Sequence, residues 1–373
     1  MPLIIAIIVA IFIFIWQKNL YNRMWDEGLS VNIRFKDSYI NAGEGSSLIE
    51  VINNGKLLPL PVFHVKFSVD KSFIFDNQDN VSVTDCYHRN DAFSIMGNQK
   101  ITRKLDFRST KRGVFAISGV TVTAKDFFMT KTFAKVIECD SRLFVFPNKI
   151  DTPDFETYFN TVMGDIEARR GLLEDPYTFR GIRDYDVSDN MSKINWKASA
   201  KSGQLMVNQY GYSWEPRIKI LLNLDTNQMI RSDYMTELSI ELASSIAMEF
   251  LNNRISVGLV SNALDTKKEP LGELSSGTTM EHMLTIDRYL ASIVDNSQID
   301  GFLDIVDGLI DSYDRESTYI IISPYHRDDL LDKLDYLKEL GLDFHMLVPY
   351  FDIQGLKSHR DYMYEWEVEF DEI

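Results

Sequence analysis

Three aspartates, Asp184, Asp186 and Asp189, stand close together and could supply the paired carboxylates of a hydrolase. General acid and base catalysis needs two such groups that converge on one substrate. Spacing within a predicted loop does not establish that convergence. A hydrolase built on these three residues is therefore an alternative hypothesis, and the preferred expectation is a protein without enzymatic activity.

Other catalytic patterns are missing from the sequence. It has no GxxxxGK[ST] loop, no GxSxG turn and no GxGxxG turn, the patterns that bind phosphates or present a nucleophile. The run Gly43–Ser46 contains Glu44 and reads as an acidic hairpin turn rather than a phosphate cradle. The 6 histidines form no HExxH motif and no pair at ligand spacing, so a zinc site is not predicted.

The charge balance excludes one large class of partner. The formal net charge is -16, whereas nucleic-acid binding requires a basic face toward the phosphates. The two cysteines, Cys86 and Cys139, form no CxxC pair. They could make one disulfide or remain free thiols, and both alternatives stay open.

The amino-terminal segment predicts a membrane anchor over residues 1–17. Leu3–Trp16 is entirely apolar, and as a helix it would span roughly 21 Å of a hydrocarbon core about 30 Å thick. Trp16 suits the interface, and Lys18 and Arg23 can snorkel toward the headgroups. A cleaved signal peptide is the alternative, but no basic residue precedes the apolar run and no small-x-small site follows it.

The basic residues also predict the orientation of this anchor. Lys18 and Arg23 lie on its carboxyl side, which the positive-inside rule places in the cytoplasm. We therefore expect a single-pass protein of the cell membrane whose soluble domains face the cytoplasm.

The remaining periodicities predict an all-β domain followed by an α/β domain. Leu29–Phe35 alternates apolar and polar residues, as do several short runs after it, which favours an antiparallel β-sandwich. Ser118-Gly119 reads as a turn between two of these strands. From Arg217 onward short apolar strands alternate with helices, which predicts a mainly parallel, doubly wound sheet. The expected divisions are a β-sandwich at 28–150, a connecting strap at 151–215, an α/β domain at 216–350 and an unplaced tail at 351–373.

The strap contains an unusual run, residues 179–205. It resembles the signature of the domain of unknown function 58 family, approximately R-x-Y-x-x-G-D-x-x-R-x-I-D-W-K-A-S-A-R-x-G-x-L. The positions that match by identity or charge are Arg183, Tyr185, Asp189, Lys193, Ile194, Trp196, Lys197, Ala198, Ser199, Ala200 and Leu205. Ser188 stands where the family usually has Gly, and Asn195 where it usually has Asp. Residues 111–115 and 126–128 are similar to the family's R-G-x-Y and D-P-F-G stretches.

The resemblance implies a membrane-anchored protein whose carboxyl-terminal half is similar to a von Willebrand factor A-type domain. Genes of this family commonly neighbour MoxR-type AAA+ ATPases, which implies such an ATPase as partner. In A-type domains the first strand ends in D-x-S-x-S and helps bind Mg²⁺. The equivalent run here offers only Asp225 and Asn227, with Thr278 as a third weak candidate, and Ser323 occupies the position of a later Asp. We therefore expect no metal or other cofactor, and a divalent-cation-dependent ligand binder is the alternative.

The preferred hypothesis is a scaffold or adaptor that binds a protein partner through the signature. The residues expected to take part are Arg180, Arg183, Asp184, Tyr185, Asp189, Lys193, Trp196, Lys197, Ser199 and Lys201. Trp, Tyr and Arg are the usual energetic anchors of protein interfaces. The competing interpretation is a salt-bridged strap that packs Trp196 and Leu205 against the α/β domain.

Overall fold

The computed structural model describes residues 2–76, 81–83, 86–172, 174–212, 216–225, 232–294, 301–351 and 359–368. These residues divide into two compact units. The first comprises Met1–Asn148 with Arg288–Ser292, and the second comprises Lys149–Asp287 with Ile293–Ile373.

A single long helix, α1 (Pro2–Met24), opens the first unit. Its 23 residues are long and apolar enough to cross a membrane, and only 6% of the apolar window is buried. The expected anchor ended at residue 17, where the environment of the helix changes. Gln17 and Tyr21 are buried, so the last two turns of α1 pack on protein rather than extending the exposed stretch.

Ten strands lie in the described part of the first unit. They are β1 (Leu29–Phe35), β2 (Tyr39–Asn41), β3 (Gly45–Asn54), β4 (Leu60–Asp70), β5 (Phe73–Phe75), β6 (Val81–Val83), β7 (Cys86–Ile95), β8 (Gln99–Ser109), β9 (Gly113–Lys125) and β10 (Thr132–Phe146). They form a four-stranded sheet of order β1-β3-β8-β5 and a six-stranded sheet of order β2-β10-β9-β4-β7-β6. Buried side chains from both sheets make one hydrophobic cluster, as the alternation along β1 predicted. Cys86 and Cys139 are free thiols.

One expected turn of this unit is wrong. Ser118 and Gly119 do not end a strand but lie within β9, where Gly119 pairs with Glu138. The irregularity is in the partner strand instead, because the register of β10 shifts between Glu138 and Ser141. Glycine and serine inside a strand accommodate such a bulge without closing a turn.

The second unit begins with a helix that sequence reasoning missed, α2 (Pro153–Leu172). It is followed by β11 (Glu174–Asp184), α3 (Trp196–Ser202), β12 (Met206–Tyr212), β13 (Arg217–Leu222), α4 (Ser232–Asn252), β14 (Ser256–Ser261), β15 (Leu274–Gly277), α5 (Met280–Ser292), α6 (Phe302–Ser312), β16 (Ser317–Ile322), α7 (Asp328–Glu339), β17 (Asp343–Phe351) and β18 (Met363–Val368).

The six strands β13 to β18 form a mixed sheet of order β15-β14-β13-β16-β17-β18, in which only β15 is antiparallel to its neighbour. All six residues of β16 are buried, as expected for a central strand covered on both faces. Helices α6 and α7 share a hydrophobic cluster with Tyr319 and Met346, whereas α4 contributes Ile246 and Phe250 to the core. The tail that could not be placed from sequence supplies β18, a parallel edge strand.

Candidate functional site

The signature folds into a two-stranded ribbon, β11 and β12, whose connection is residues 185–205, here called the signature loop. Within it, Asn195 starts helix α3, because its Oδ1 accepts a hydrogen bond from the N–H of Ala198 at 2.9 Å. Gly203 ends the helix in a left-handed conformation, with φ of 77°. An Asp at position 195 would cap in the same way, so this departure from the family pattern keeps the cap and removes one charge.

Ser199 ties the helix to the ribbon. Its hydroxyl donates to the carbonyl of Asn195 at 2.8 Å and accepts from the backbone N–H of Met206 at 2.8 Å. The side-chain amide of Asn195 also donates to Asn208 Oδ1 on β12 at 2.7 Å. Helix α3 is therefore fixed to β12 by side-chain hydrogen bonds, although it is only two turns long.

Arg183 and Asp189 close the base of the loop. Nη1 and Nη2 of Arg183 each lie 2.6 Å from a carboxylate oxygen of Asp189, a bidentate pair. Asp189 also accepts from the N–H of Asp186 at 2.9 Å. The hydrogen bonds from Arg183, followed by the backbone hydrogen bond from Asp186, lower the pKa of the Asp189 carboxyl.

Two of the three aspartates of the hydrolase hypothesis are engaged in hydrogen bonds within the loop itself. The carboxylate of Asp189 is engaged by Arg183, and that of Asp186 accepts from the backbone and hydroxyl of Ser188 in its own turn. Their hydrogen bonds are those of a structured turn rather than of two groups facing a substrate. The geometry thus gives the alternative hypothesis no support.

The hydrophobic residues that are buried in the ribbon and its loop are not Trp196 and Leu205. Ile194 and Val207 pair across an isolated bridge and are 6% and 1% exposed. Trp196 is 67% exposed and Leu205 is 44% exposed, which argues against the competing interpretation that they pack as a strap. Trp196 takes the first position of α3, two residues after Ile194 of the bridge.

Further exposed apolar residues surround Trp196 in sequence. The exposed large apolar side chains of this region are those of Phe179, Ile182, Val187, Met191, Trp196 and Leu205. Residues 179–205 also carry five basic and three acidic side chains, in a protein whose net charge is -16. Lys197 and Lys201 are exposed on α3. Residues 179–205 are thus apolar and locally basic, a combination that differs from the rest of the acidic chain.

The weak metal candidates are not brought together. Asp225 follows β13 at the carboxyl end of the parallel strands, with its N–H bonded to Asn223 Oδ1 at 2.9 Å. Thr278 follows β15, whose Gly277 pairs with Val257 near the amino end of β14. The six residues of β13 separate the two ends by roughly 20 Å at about 3.3 Å per residue. One ion cannot bind both side chains, and Asn227 lies outside the described residues.

A polar cluster that sequence reasoning missed lies beside Asp225. The Asn223 side chain donates to Ser323 Oγ at 2.9 Å and accepts from Asn262 Nδ2 at 3.1 Å, and Asn262 Oδ1 accepts from the N–H of Leu224. These residues follow β13, β14 and β16, so they meet at the switch point of the sheet. Polar residues directly after three apolar strands were the available signal. Their mutual hydrogen bonds connect the carboxyl ends of these three strands.

Comparison with solved structures gives only weak likenesses. The chain is similar to a non-cellulosomal cohesin from Archaeoglobus fulgidus at 12% identity, covering 35% of this chain and 97% of that chain with a TM-score of 0.24. For the full-length major pilin SpaD of Corynebacterium diphtheriae the identity is 10%, the coverage 29% and 34%, and the TM-score 0.22. Scores this low carry no conclusion. Comparison with curated proteins found no significant match.

The comparison with protein families is informative. The model of the family described as "Protein of unknown function DUF58" matches residues 181–341. This range contains the signature loop, the switch-point cluster and the strands β13 to β16. The match supports the resemblance inferred from the signature residues.

Proposed function

We propose that the protein is a membrane-anchored scaffold or adaptor, without enzymatic activity, that binds a protein partner through its signature loop. The observation that carries this proposal is the exposure of Trp196, 67% of whose surface is open to solvent at the start of a short, fixed helix. Trp is among the residues that most often dominate the energy of protein interfaces. An exposed Trp has little value for the stability of the protein that carries it.

Rigidity of the loop supports the same proposal. The Ser199 hydrogen bonds, the Asn195 cap and the bidentate pair between Arg183 and Asp189 hold α3 before any partner arrives. Binding then loses less conformational entropy than it would for a mobile loop. The interactions that looked like a structural strap therefore serve the presentation of Trp196 rather than its burial.

The charge of the loop indicates the chemistry of the partner. Lys197 and Lys201 are exposed on the same short helix as Trp196. A partner surface with an apolar pocket for Trp196 and acidic residues at its rim would complement them, because complementary charge steers association and disfavours wrong partners. A MoxR-type AAA+ ATPase, the partner implied by the family resemblance, is our specific candidate.

The second unit supports a von Willebrand factor A-like fold as part of this proposal. Numbered from β13, its strand order is 3-2-1-4-5-6, the doubly wound arrangement, with the third strand antiparallel at the edge. We place the soluble units in the cytoplasm, because Lys18 and Arg23 follow the apolar stretch of α1.

Crosslinking in native membranes followed by mass spectrometry tests the proposal. The test variant is Trp196→Ala, and Tyr336→Ala, which removes a half-exposed aromatic from α7, is the matched control. Loss of a central interface anchor of about 2 kcal/mol would lower the affinity roughly 30-fold, whereas the control should keep wild-type recovery. Unchanged recovery of every crosslinked protein with Trp196→Ala would refute the docking role of the loop.

A further inference from the structure

We propose that the turn between β9 and β10 enters the lipid bilayer beside α1, with Phe127, Phe128 and Met129 as the inserted residues. The inference rests on the proposed membrane anchor and extends it to a second contact. These three consecutive side chains are 60%, 48% and 59% exposed. Large apolar residues rarely gather at the tip of a hairpin that faces water, and such clusters mark sites of interaction.

The position of the turn along α1 identifies lipid as the occupant. The ring of Phe128 lies 5.7 Å from the ring of Phe14, and Phe127 packs against Phe128 at 5.5 Å. Phe14 belongs to the exposed, uncharged part of the helix, three residues before Gln17, where burial begins. At about 1.5 Å per residue, the turn reaches roughly 4.5 Å into the exposed stretch. When that stretch lies in the membrane, Phe128 lies at the same depth.

The turn is held in this position by a buried carboxylate. Asp126 is fully buried and accepts from the N–H and hydroxyl of Thr130 at 2.6 Å each and from the N–H of Lys131 at 2.9 Å. Its Oδ2 also accepts from Gln17 Nε2 on α1 at 2.9 Å. Met129 adopts a positive φ of 57°, which is uncommon for a residue other than glycine. The exposed aromatics therefore belong to an ordered turn locked to the helix.

Polar groups next to the turn suit the headgroup layer. The ammonium of Lys131 donates to Asn22 Oδ1 at 2.7 Å, and that of Lys135 pairs with Asp26 at 2.9 Å. Both lysines follow the aromatic tip in sequence, Lys131 directly before β10 and Lys135 within it, and their partners follow the apolar stretch of α1. Apolar residues at the tip and cationic residues behind it are the arrangement expected at a bilayer surface.

Site-directed spin labelling of the full chain tests the inference. The purified protein, with Cys86 and Cys139 replaced by Ser, is placed in vesicles of phosphatidylcholine and phosphatidylglycerol and labelled at Phe127→Cys or Phe128→Cys. Ile74→Cys is the control, because Ile74 is half-exposed and lies far from α1. It pairs with Arg108, and Arg108 pairs with Gly45 at the end of β3 that is opposite to α1. We expect collisions with oxygen to exceed those with a water-soluble nickel chelate at 127 and 128, and the reverse at 74.

A label at Ile8→Cys separates failure of this inference from failure of the anchor. If position 8 is lipid-exposed but 127 and 128 are as accessible to nickel as 74, the turn does not insert and the inference is overturned. If position 8 is also accessible to nickel, the anchor fails with it. Labels at 127 and 128 could instead be protected from the nickel chelate in native membranes but not in vesicles that contain only the purified protein. That result would assign the turn to a protein partner and overturn the lipid assignment.

Discussion

Glu50 should make the first unit less stable as the pH rises. It lies on β3, directly opposite Arg103 of β8, and is fully buried. Asp91 lies in the same cluster, bonded to Arg89 at 2.7 Å and to Arg103 at 2.8 Å. Neither carboxylate oxygen of Glu50 has a hydrogen-bond partner among the described residues. Burial, and then the charge of Asp91, raises the pKa of Glu50 to about 7, although both arginines act in the opposite direction.

The size of the effect follows from this pKa. The ordinary value is 4.5, so the rise to about 7 corresponds to about 3 kcal/mol at 1.36 kcal/mol per unit. Between these two pH values the folded state keeps a proton that the unfolded state has lost. The contribution of Glu50 to stability is therefore fully present below pH 4.5 and is lost as the pH rises through 7.

The perturbation that tests this reasoning is Glu50→Gln, which keeps the shape of the side chain and removes its ionisation. Relative to the wild type, we expect the variant to be about 3 kcal/mol more stable at pH 8 and only about 0.8 kcal/mol more stable at pH 5. Hydrogen exchange of peptides from β3 and β8, measured on the full chain, reports opening of this unit alone.

Glu138→Gln is the matched control, because Glu138 is an exposed glutamate of the same unit. It should leave exchange of β3 and β8 unchanged at both pH values. A stabilisation by Glu50→Gln that is the same at pH 5 and pH 8, or a loss of stability at pH 8, would refute the assignment of a proton to this buried carboxyl.

Three other substitutions give sharp expectations. Ser199→Ala should destabilise the signature loop by about 1–2 kcal/mol, seen as faster exchange of β12, because the N–H of Met206 loses its acceptor. Hydrogen bonds from Thr130, Lys131 and Gln17 outweigh burial and lower the pKa of Asp126 to about 2. The stabilisation that Asp126 provides is present above pH 3.8 and is lost as the pH falls toward 2. Asp126→Asn should therefore lower the free energy of unfolding at neutral pH by about 2 kcal/mol. It should also remove the loss of protection in acid that hydrogen exchange of β9 reports for the wild type. Lys149→Met should cost about 3–5 kcal/mol in urea unfolding, because Asp287 is left buried beside Ser244 without its cation; near-wild-type stability would contradict this.

Periodicity predicted the strands and helices whose burial follows simple alternation. β1 and β4 were found because buried and exposed residues alternate along them. Helix α2 was missed although its buried residues, Phe155, Tyr158, Phe159, Val162 and Ile166, recur at helical spacing. Pro153 at its first position and Asp154 in its first turn are also ordinary start signals. The oversight came from treating residues 151–215 as one connecting segment.

The candidate site was recognised from residue identities, but its geometry was not. Composition could not show that Ile194 rather than Trp196 is buried, because both are apolar and only two positions apart. The choice depends on the bridge between Ile194 and Val207, a contact between residues distant along the chain. In the same way, the opposite ends occupied by Asp225 and Thr278 follow from the antiparallel pairing of β15, and the sequence alone gave no sign of that pairing.

In the membrane-anchored protein that we propose, the last turns of α1 hold the first unit in a defined orientation to the membrane surface. The Tyr21 hydroxyl donates a hydrogen bond to the carbonyl of Pro59 at 2.7 Å, and the ring of Trp25 stacks on that of Phe133 at 5.5 Å. Because of these contacts, the helix and the sheet form one rigid body without a hinge between them. A unit anchored in this way can diffuse laterally and rotate about the bilayer normal, but it cannot rotate freely about the other axes. Two partners mounted on one membrane would thus meet with most of their orientational freedom already given up.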